Sequence, residues 1–240
     1  MNLVIDQGNS LTKTGVFDQS GLIRSHSLKN PDENSFMNLL NEFRIDQLMV
    51  SSVTQDGQRL YEMLRKHVGK GHFFDMHTKL PFTNLYQTPE TIGKDRLAAV
   101  AGAMHQFPME DVFVIDAGTA ITYELITRHQ VYQGGNIAPG LQMRFKALNH
   151  FTSRLPLCEP DDAFALLGNS TQSAITAGVQ NGLIFEIDGY IDTLKKQYPE
   201  LHIIITGGDA DFFAGKLKNP IFVDQNLVLK GLNRILEQNV

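Results

Sequence analysis

A nine-residue segment that occurs twice is the feature that most constrains the fold of this chain. Residues 4–12 (VIDQGNSLT) align without gaps to residues 114–122 (VIDAGTAIT), and five of the nine positions are identical. Each copy is an apolar strand that ends in an Asp-x-Gly turn and leads into a second strand. Chance similarity between such segments is the competing explanation, but the shared polar turn argues against it. We therefore expect two duplicated halves, residues 1–110 and 111–240.

The order of the predicted elements indicates a mixed sheet flanked by helices in each half. Apolar runs and hydrophobic periodicity predict strands at residues 3–6, 12–17, 22–28, 47–53, 72–76, 112–116, 121–126, 131–137 and 202–206. The same criteria predict helices at residues 32–43, 59–68, 94–107, 141–151, 171–197 and 226–237, with another helix starting after residue 208. The fold class is therefore α/β.

Composition and charge exclude several functions. The net charge of −5 offers no basic excess for general nucleic-acid binding. A single cysteine, Cys158, allows neither an intrachain disulfide nor a cysteine-based metal or redox pair. We expect no membrane span, because no apolar run approaches about 20 residues, and no signal peptide, because the acidic Asp6 interrupts the N-terminal apolar run. A cytoplasmic protein is the resulting expectation.

The repeated Asp-x-Gly turn suits a phosphate group. Glycine lets the backbone approach an anion closely, and successive N–H groups can bind it. The acid, Asp6 or Asp116, offers oxygen to a hard cation such as Mg²⁺. Lys13 adds a positive charge beside the first turn. One such turn alone would more readily be a plain hairpin, but two in duplicated halves favour a pair of phosphate loops.

The series of motifs along the chain resembles the type III pantothenate kinases, members of the actin-like ATPase superfamily. The segments that carry the resemblance are the two loops, residues 93–96 (GKDR), residues 134–140 (GGNIAPG) and residues 206–210 (TGGDA). The resemblance implies two ribonuclease H-like domains with the active site in the cleft between them. It also implies phosphorylation of pantothenate by ATP, the first step of coenzyme A biosynthesis, with Mg²⁺, a monovalent cation (K⁺ or NH₄⁺) and a homodimer.

The resemblance assigns roles residue by residue. Those assigned to ATP are Asp6, Gln7, Gly8, Asn9, Ser10, Leu11, Thr12, Lys13 and Thr119, and those assigned to pantothenate are Tyr86, Gly93, Lys94, Asp95, Arg96 and Thr171. Asp95 is the implied proton acceptor, Asp116 the ligand of the monovalent cation, and Asp6 lies near Mg²⁺. Ser10 and Glu124 stand where Thr and Asp are commoner in the family.

Simpler readings remain open for several of these residues. Asp95 is also a good first-turn helix residue, because acids there interact favourably with the helix dipole. Arg96 could be a solvated helix residue, and Tyr86 could belong to the core. Two other functions also remain: a kinase of the same fold for another hydroxy acid or sugar, and a regulatory relative without catalysis.

Overall fold

The computed structural model describes residues 1–8, 11–29 and 31–240. The chain divides into two compact units. The first unit contains residues 1–109, 126–134 and 226–240, and the second contains residues 110–125 and 135–225.

Runs of one to three strands are separated by helices along most of the described chain. The strands are β1 (Asn2–Gln7), β2 (Thr12–Asp18), β3 (Gly21–Leu28), β4 (Gln47–Ser52), β5 (Lys70–Phe73), β6 (Thr83–Asn84), β7 (Val112–Ala117), β8 (Ala120–Thr127), β9 (Val131–Pro139), β10 (His202–Thr206) and β11 (Phe222–Val223). The helices are α1 (Glu33–Glu42), α2 (Gly57–Arg65), α3 (Lys94–Gln106), α4 (Leu141–Phe151), α5 (Thr171–Lys195), α6 (Ala210–Phe213) and α7 (Leu227–Asn239), with a 3₁₀ turn at Pro89–Thr91.

The first unit is built on a five-stranded sheet in the order β3-β2-β1-β4-β5. β1 pairs antiparallel with β2 and parallel with β4. Its odd-numbered side chains, including Leu3 and Ile5, pack in one core with Phe36 of α1 and Leu64 of α2. The carboxyl end of β1, where Asp6 and Gln7 lie, is therefore anchored by a strand whose central residues, Leu3 to Ile5, are buried.

Two helices of the first unit cross at very short range. A Cβ atom at Gly231 of α7 would lie 1.7 Å from the carbonyl oxygen of Ala98 in α3, and one at Gly102 would lie 2.3 Å from the carbonyl oxygen of Leu227. Only glycine leaves room for the two backbones at these points. The last helix thus packs in the first unit and supports α3.

The second sheet repeats the arrangement of the first. Its order is β11-β10-β7-β8-β9, and β6 pairs with β9 through Thr83 and Asn84. β7 has the bounds of β1 shifted by 110 residues, lies between an antiparallel hairpin strand and a parallel strand as β1 does, and pairs with β10 in parallel. The duplication expected from the sequence is therefore present in the topology.

Most predicted elements occur close to their predicted bounds, and the expected α/β class is confirmed. The two-residue strands β6 and β11 were not predicted from the sequence, because such short edges carry no periodicity. The predicted boundary at residue 110 remains a prediction. The last helix and the tip of the β8–β9 hairpin, residues 126–134, both belong to the first compact unit.

Candidate active site

The first phosphate loop connects β1 to β2. Asp6 is the register partner of Lys13, and Gln7 that of Thr12, so the predicted acid and cation lie on adjacent strands. The Gly8 amide donates to the Leu11 carbonyl oxygen at 3.0 Å and narrows the turn. Asn9 and Ser10, also predicted to bind ATP, lie outside the described residues.

The base of this loop is tied to β4. The Ser52 hydroxyl donates to the side-chain oxygen of Gln7 at 2.9 Å, and the Val53 amide donates to the Gln7 carbonyl oxygen at 3.1 Å. A Cβ atom at Gly57, the first residue of α2, would lie 2.2 Å from the Cβ of Ser52. The close approach of α2 therefore depends on glycine and holds the loop base in place.

The predicted substrate motif forms the N-terminus of α3. Gly93 is the N-cap residue, with Lys94, Asp95 and Arg96 in the first turn. A carboxylate oxygen of Asp95 accepts a hydrogen bond from the Arg96 amide at 2.9 Å, and a Cβ at Gly93 would lie 2.4 Å from that oxygen. Glycine therefore keeps the space in front of the half-buried Asp95 carboxylate clear.

Arg96 is buried and held by aromatic side chains. It is 5% exposed, so its reading as a solvated helix residue is wrong. Its guanidinium lies 5.3 Å from the ring centre of Tyr86 and donates to the hydroxyl of Tyr132 at 3.3 Å. The structure thus brings together three members of the predicted substrate set, Tyr86, Asp95 and Arg96.

The side chain of Lys94 contacts an aromatic residue of β5, Phe73. Its ammonium lies 4.8 Å from the ring centre of Phe73, in a cation–π contact. Burial lowers the pKa of Lys94, and the nearby charge of Asp75 opposes this shift. Its part in substrate binding stays a prediction.

In the second unit, the corresponding loop joins β7 to β8. The Gly118 amide donates to the Ala120 carbonyl oxygen at 3.1 Å, two residues on, whereas the Gly8 amide in the first unit donates to Leu11, three residues on. A Cβ at Gly140, the N-cap of α4, would lie 2.4 Å from the Thr119 carbonyl oxygen. Asp116, at the end of β7, is the register partner of Thr206 on β10.

A cavity of about 470 Å³ opens beside this second loop. Its walls are Gly118, Thr119, Gln142, Met143, Lys146, Gly208 and Asp209. Gly207 adopts φ +96°, and a Cβ there would lie 2.5 Å from the Asp116 carboxylate. Burial raises the pKa of Asp209 above the usual range for an aspartate. The cavity thus offers one amine, one carboxylate and backbone groups at two glycine-rich turns.

Thr171 is the first residue of α5, in the second unit. The helix is capped by Ser170 and Ser173 through reciprocal hydrogen bonds. Thr171 itself is exposed and does not serve as the cap. Because Ser170 and Ser173 cap the helix, the Thr171 hydroxyl is not needed for capping and can bind substrate.

Comparison with known proteins identifies the family. Residues 2–193 match the family model described as type III pantothenate kinase. The chain belongs to the type III pantothenate kinase family. A type III pantothenate kinase of Bacteroides fragilis is 46% identical over 239 residues, which cover 100% of this chain and 98% of that protein.

Solved structures agree with the predicted fold. A Campylobacter jejuni protein described as a Baf family transcriptional activator aligns with a TM-score of 0.64 and 25% identity, covering 99% of this chain and 98% of its own. A glucokinase from an Antarctic psychrotroph aligns with a TM-score of 0.54 and 12% identity, covering 99% and 98%. The actin-like ATPase fold and membership of an ATP-dependent kinase family are confirmed.

Two residues of the sites in this type III pantothenate kinase, Tyr132 and Lys146, were not indicated by the sequence motifs. Tyr132 lies inside a predicted strand, and nothing in its sequence neighbourhood signals a contact with Arg96. Lys146 lies on α4, six residues after the Gly140 turn, where a lysine is ordinarily a solvated helix residue. The contact of Tyr132 with Arg96 and the place of Lys146 in the wall of the cavity both depend on tertiary packing within their own units.

No group of three or more histidine, cysteine, aspartate or glutamate residues in the described chain could hold a metal ion. No helix among residues 1–8, 11–29 and 31–240 is long and apolar enough to cross a membrane.

Proposed function

We propose that this chain transfers the γ-phosphoryl group of ATP to the primary hydroxyl of pantothenate, with the N-terminus of α3 as the acceptor site. The observation that carries this proposal is the placement of a carboxylate, Asp95, one residue from a buried guanidinium, Arg96. Phosphoryl transfer mainly needs positioned reactants and stabilised charge. A carboxylate and a fixed cation side by side suit an acceptor that carries both a hydroxyl and a carboxylate.

Asp95 serves as the general base. The bond from the Arg96 amide holds the carboxylate on the first turn of α3. The carboxylate accepts the proton of the pantothenate hydroxyl as that oxygen bonds to the γ-phosphorus and the bond from phosphorus to the ADP oxygen breaks. Proton removal by a positioned base contributes about 10²–10⁴-fold to the rate of such reactions.

Arg96 and Tyr86 bind the far end of the substrate. A guanidinium offers five donors in a planar fork that matches a carboxylate. The Tyr86 ring covers one face of this fork, at 5.3 Å from the ring centre. Gly93, Lys94 and Thr171 complete the substrate-binding set that we propose.

The loop of residues 6–13 binds the phosphates of ATP, with Thr119 as a further donor. Asp6 is suited to hold Mg²⁺ because it is a single carboxylate beside a turn. With no cluster of three such ligands in the described chain, phosphate oxygens and water would supply the other ligands. Mg²⁺ there would neutralise charge on the transferred group. Lys13, paired with Asp6 across the two strands, supplies a second cation.

Asp116 binds a monovalent cation. In support, the hydroxyl of Thr122, on the adjacent strand β8, is buried without a hydrogen-bond partner among the described residues. Hydroxyl and carboxylate oxygens are ligands that a hard cation accepts. Potassium or ammonium is the expected occupant.

The working unit is a homodimer. The exposed apolar residues of the second unit include Phe151 of α4, 82% exposed, and Phe185 of α5, 59% exposed. A groove of about 570 Å³ between α4 and α5 is lined by Leu148, Ile175 and Val179. Apolar surface of this kind marks an interface.

Analytical sedimentation of Phe151→Glu and Phe185→Glu tests the proposed dimer. Both variants should shift toward the monomer, and a wild type that sediments as a monomer would refute the homodimer.

A substrate panel tests the proposed reaction. ADP release is coupled to pantothenate, to sugars and to other hydroxy acids, in potassium buffer with Mg²⁺ and ATP. We expect release only with pantothenate. Release with a sugar instead would move the assignment to another kinase of the same fold, and no release with any acceptor would favour a regulatory relative.

A further inference from the structure

A series of hydrogen bonds runs through the second unit toward its phosphate loop. It begins at Tyr123 of β8, whose hydroxyl donates to one carboxylate oxygen of Glu186 on α5 at 2.8 Å. The other carboxylate oxygen of Glu186 accepts from a terminal nitrogen of Arg144 on α4 at 2.7 Å. The Arg144 Nε in turn donates to the Pro139 carbonyl oxygen at 2.9 Å. One carboxylate thus connects a buried phenol to an arginine that contacts the end of β9.

The last link passes through the peptide group between Pro139 and Gly140. Its carbonyl oxygen accepts from Arg144, and its N–H, that of Gly140, donates to the Thr119 carbonyl oxygen at 3.2 Å. Because a peptide group is planar and rigid, a bond that holds its oxygen also restricts the direction of its N–H. A Cβ atom at Gly140 would lie 2.3 Å from the Gly118 carbonyl oxygen, so the two backbones already meet closely. The position of Arg144 therefore bears directly on the loop of Gly118 and Thr119.

The start of this series is rigid. The Tyr123 side chain is buried, and its ring lies 5.9 Å from that of Phe113 and 4.6 Å from that of Tyr190, measured between ring centres. Aromatic contacts of this kind restrict the orientation of a ring. Burial, together with the hydrogen bond to Glu186, raises the pKa of Tyr123, so the phenol stays neutral and donates its proton to that bond. Glu186 is therefore held from its far side by a fixed donor.

The ion pair in the middle of the series is more protected than a surface pair. The side chains of Arg144 and Glu186 are 21% and 28% exposed, whereas fully exposed pairs contribute little because water screens their charges. Arg144 also uses two nitrogens at once, one for the carboxylate and one for the Pro139 carbonyl oxygen. Loss of Glu186 would leave the guanidinium without its ionic partner and so loosen its bond to the Pro139–Gly140 peptide.

We propose that Arg144 and Glu186 are positioning residues for the nucleotide, because they hold the second phosphate loop in the conformation that binds ATP. This inference rests on the proposed function of that loop, which lines the cavity of about 470 Å³. Arg144 and Glu186 are not among the described residues that form the wall of this cavity, so they act through the loop. They should affect the affinity for ATP and leave the acceptor site unchanged.

Glu186→Ala tests this inference through the KM for ATP. The apparent affinity for a ligand falls with the fraction of the protein in the binding conformation. We expect the KM for ATP to rise by about 3–10-fold, the size that a typical net hydrogen bond confers. The KM for pantothenate and kcat should change little. An unchanged KM for ATP would overturn the inference.

Asp188→Ala is the matched control. Asp188 lies two residues further along α5, is 7% exposed, and accepts hydrogen bonds from the Asn219 side chain at 3.0 Å and the Lys218 amide at 3.2 Å. Both variants lose a carboxylate of the same helix, so both should lower the melting temperature. Only Glu186→Ala should raise the KM for ATP. An equal rise in the two variants would reduce Glu186 to a structural residue and refute its positioning role.

A double-mutant cycle tests whether the two residues act in series. Glu186→Ala should raise the KM for ATP no further once Arg144 is alanine, and a further rise would contradict the proposed series. Arg144 also lines the groove between α4 and α5, so sedimentation of each variant is measured as well. A rise in KM that occurs only in variants that sediment as monomers, and equally in Phe151→Glu, would assign the effect to the interface and overturn the inference.

Thr119→Ala separates this inference from the proposed function of Thr119. If Thr119→Ala raises the KM for ATP and Glu186→Ala does not, the inference fails and the role of Thr119 stands. If only Glu186→Ala raises it, the loop backbone binds the nucleotide, so the inference stands and the role of the Thr119 hydroxyl fails. Calorimetric binding of a non-hydrolysable ATP analogue gives the same comparison without turnover, so it decides the inference even if pantothenate is not the acceptor.

Discussion

The guanidinium of Arg96 donates to the hydroxyl of Tyr132 at 3.3 Å and lies against the ring of Tyr86, within the first turn of α3. A buried arginine is costly unless its donors are used. Its position next to Asp95 places a fixed positive charge beside the proposed base. The sequence motif alone does not reveal that the positive charge beside Asp95 is held in place by two tyrosines.

Replacing Arg96 should weaken the use of pantothenate far more than the use of pantothenol, which has an alcohol in place of the carboxylate. A hydrogen bond to a charged group contributes about 1.5–3 kcal/mol, so Arg96→Ala should lower kcat/KM for pantothenate by roughly 10–150-fold. Arg96→Lys should recover only part of this loss, because an ammonium lacks the planar fork. Steady-state kinetics of each variant with pantothenate and with pantothenol measures these changes in kcat/KM. A wild type that uses pantothenol as well as pantothenate would show that Arg96 does not read the carboxylate.

The second loop should make activity depend on the monovalent cation. Activity should rise when potassium or ammonium replaces sodium, because Asp116 supplies a carboxylate to the larger ion. Asp116→Asn should reduce that response while the fold is kept. Initial rates in each salt at constant ionic strength measure the effect. Equal activity in sodium alone, after other cations are removed, would leave Asp116 as a turn residue.

The crossing of α3 and α7 should be intolerant of a single methyl group. Gly231→Ala would place Cβ 1.7 Å from the Ala98 carbonyl oxygen, and a backbone atom cannot rotate away. We expect a loss of stability of about 1–3 kcal/mol or more.

Gly189→Ala in α5 is the control, since no described atom beyond its chain neighbours and its own helix backbone lies within 4 Å of its Cβ position. It should gain about 0.5–1 kcal/mol from helix propensity. Urea unfolding of both variants measures the two changes. Equal stability of Gly231→Ala and wild type would contradict the observed crossing.

The free energy of unfolding should decrease at acidic pH, and His72 should contribute part of this decrease. Burial lowers the pKa of His72, with the charge of Asp75 opposing, and its Nε2 lies 2.7 Å from the Thr78 hydroxyl. The folded state therefore disfavours the protonated ring. The contribution of neutral His72 to stability is fully present above the pKa of an unfolded histidine, about 6.5. It is lost as pH falls through the lower pKa of the folded state.

His72→Gln should flatten this acid-side loss, measured as the difference in unfolding free energy between about pH 7.5 and pH 5.5. His77→Gln, at an exposed neighbour, is the control and should leave the slope unchanged. An unchanged slope in His72→Gln would mean that other groups cause the loss.

The sequence was informative wherever a local pattern decides the structure. The repeated Asp-x-Gly turn predicted the hairpins of both sheets, and the first-turn position of Asp95 was predicted from its motif. Helix periodicity placed α3, α5 and α7 within a few residues of their observed bounds.

What could not be predicted depends on contacts between distant parts of the chain. The burial of Arg96 requires Tyr132, 36 residues later, and the place of α7 in the first unit requires Gly231 to meet Ala98. A glycine inside a helix reads as a local weakness, and only the packed structure reveals it as a crossing point. Buried arginines are rare enough that the solvated reading of Arg96 was the natural one.

Turnover by Asp95→Asn tests the central claim most directly, because the variant keeps the size of the side chain and removes its ability to accept a proton as a carboxylate. We expect kcat for pantothenate phosphorylation to fall by about 10²–10⁴-fold, the range for loss of a general base, while the affinity for ATP and the melting temperature stay near wild type. ADP release and phosphopantothenate formation are measured together in potassium buffer. Near-normal turnover in Asp95→Asn would contradict the assignment of the α3 N-terminus as the place where the acceptor hydroxyl is deprotonated.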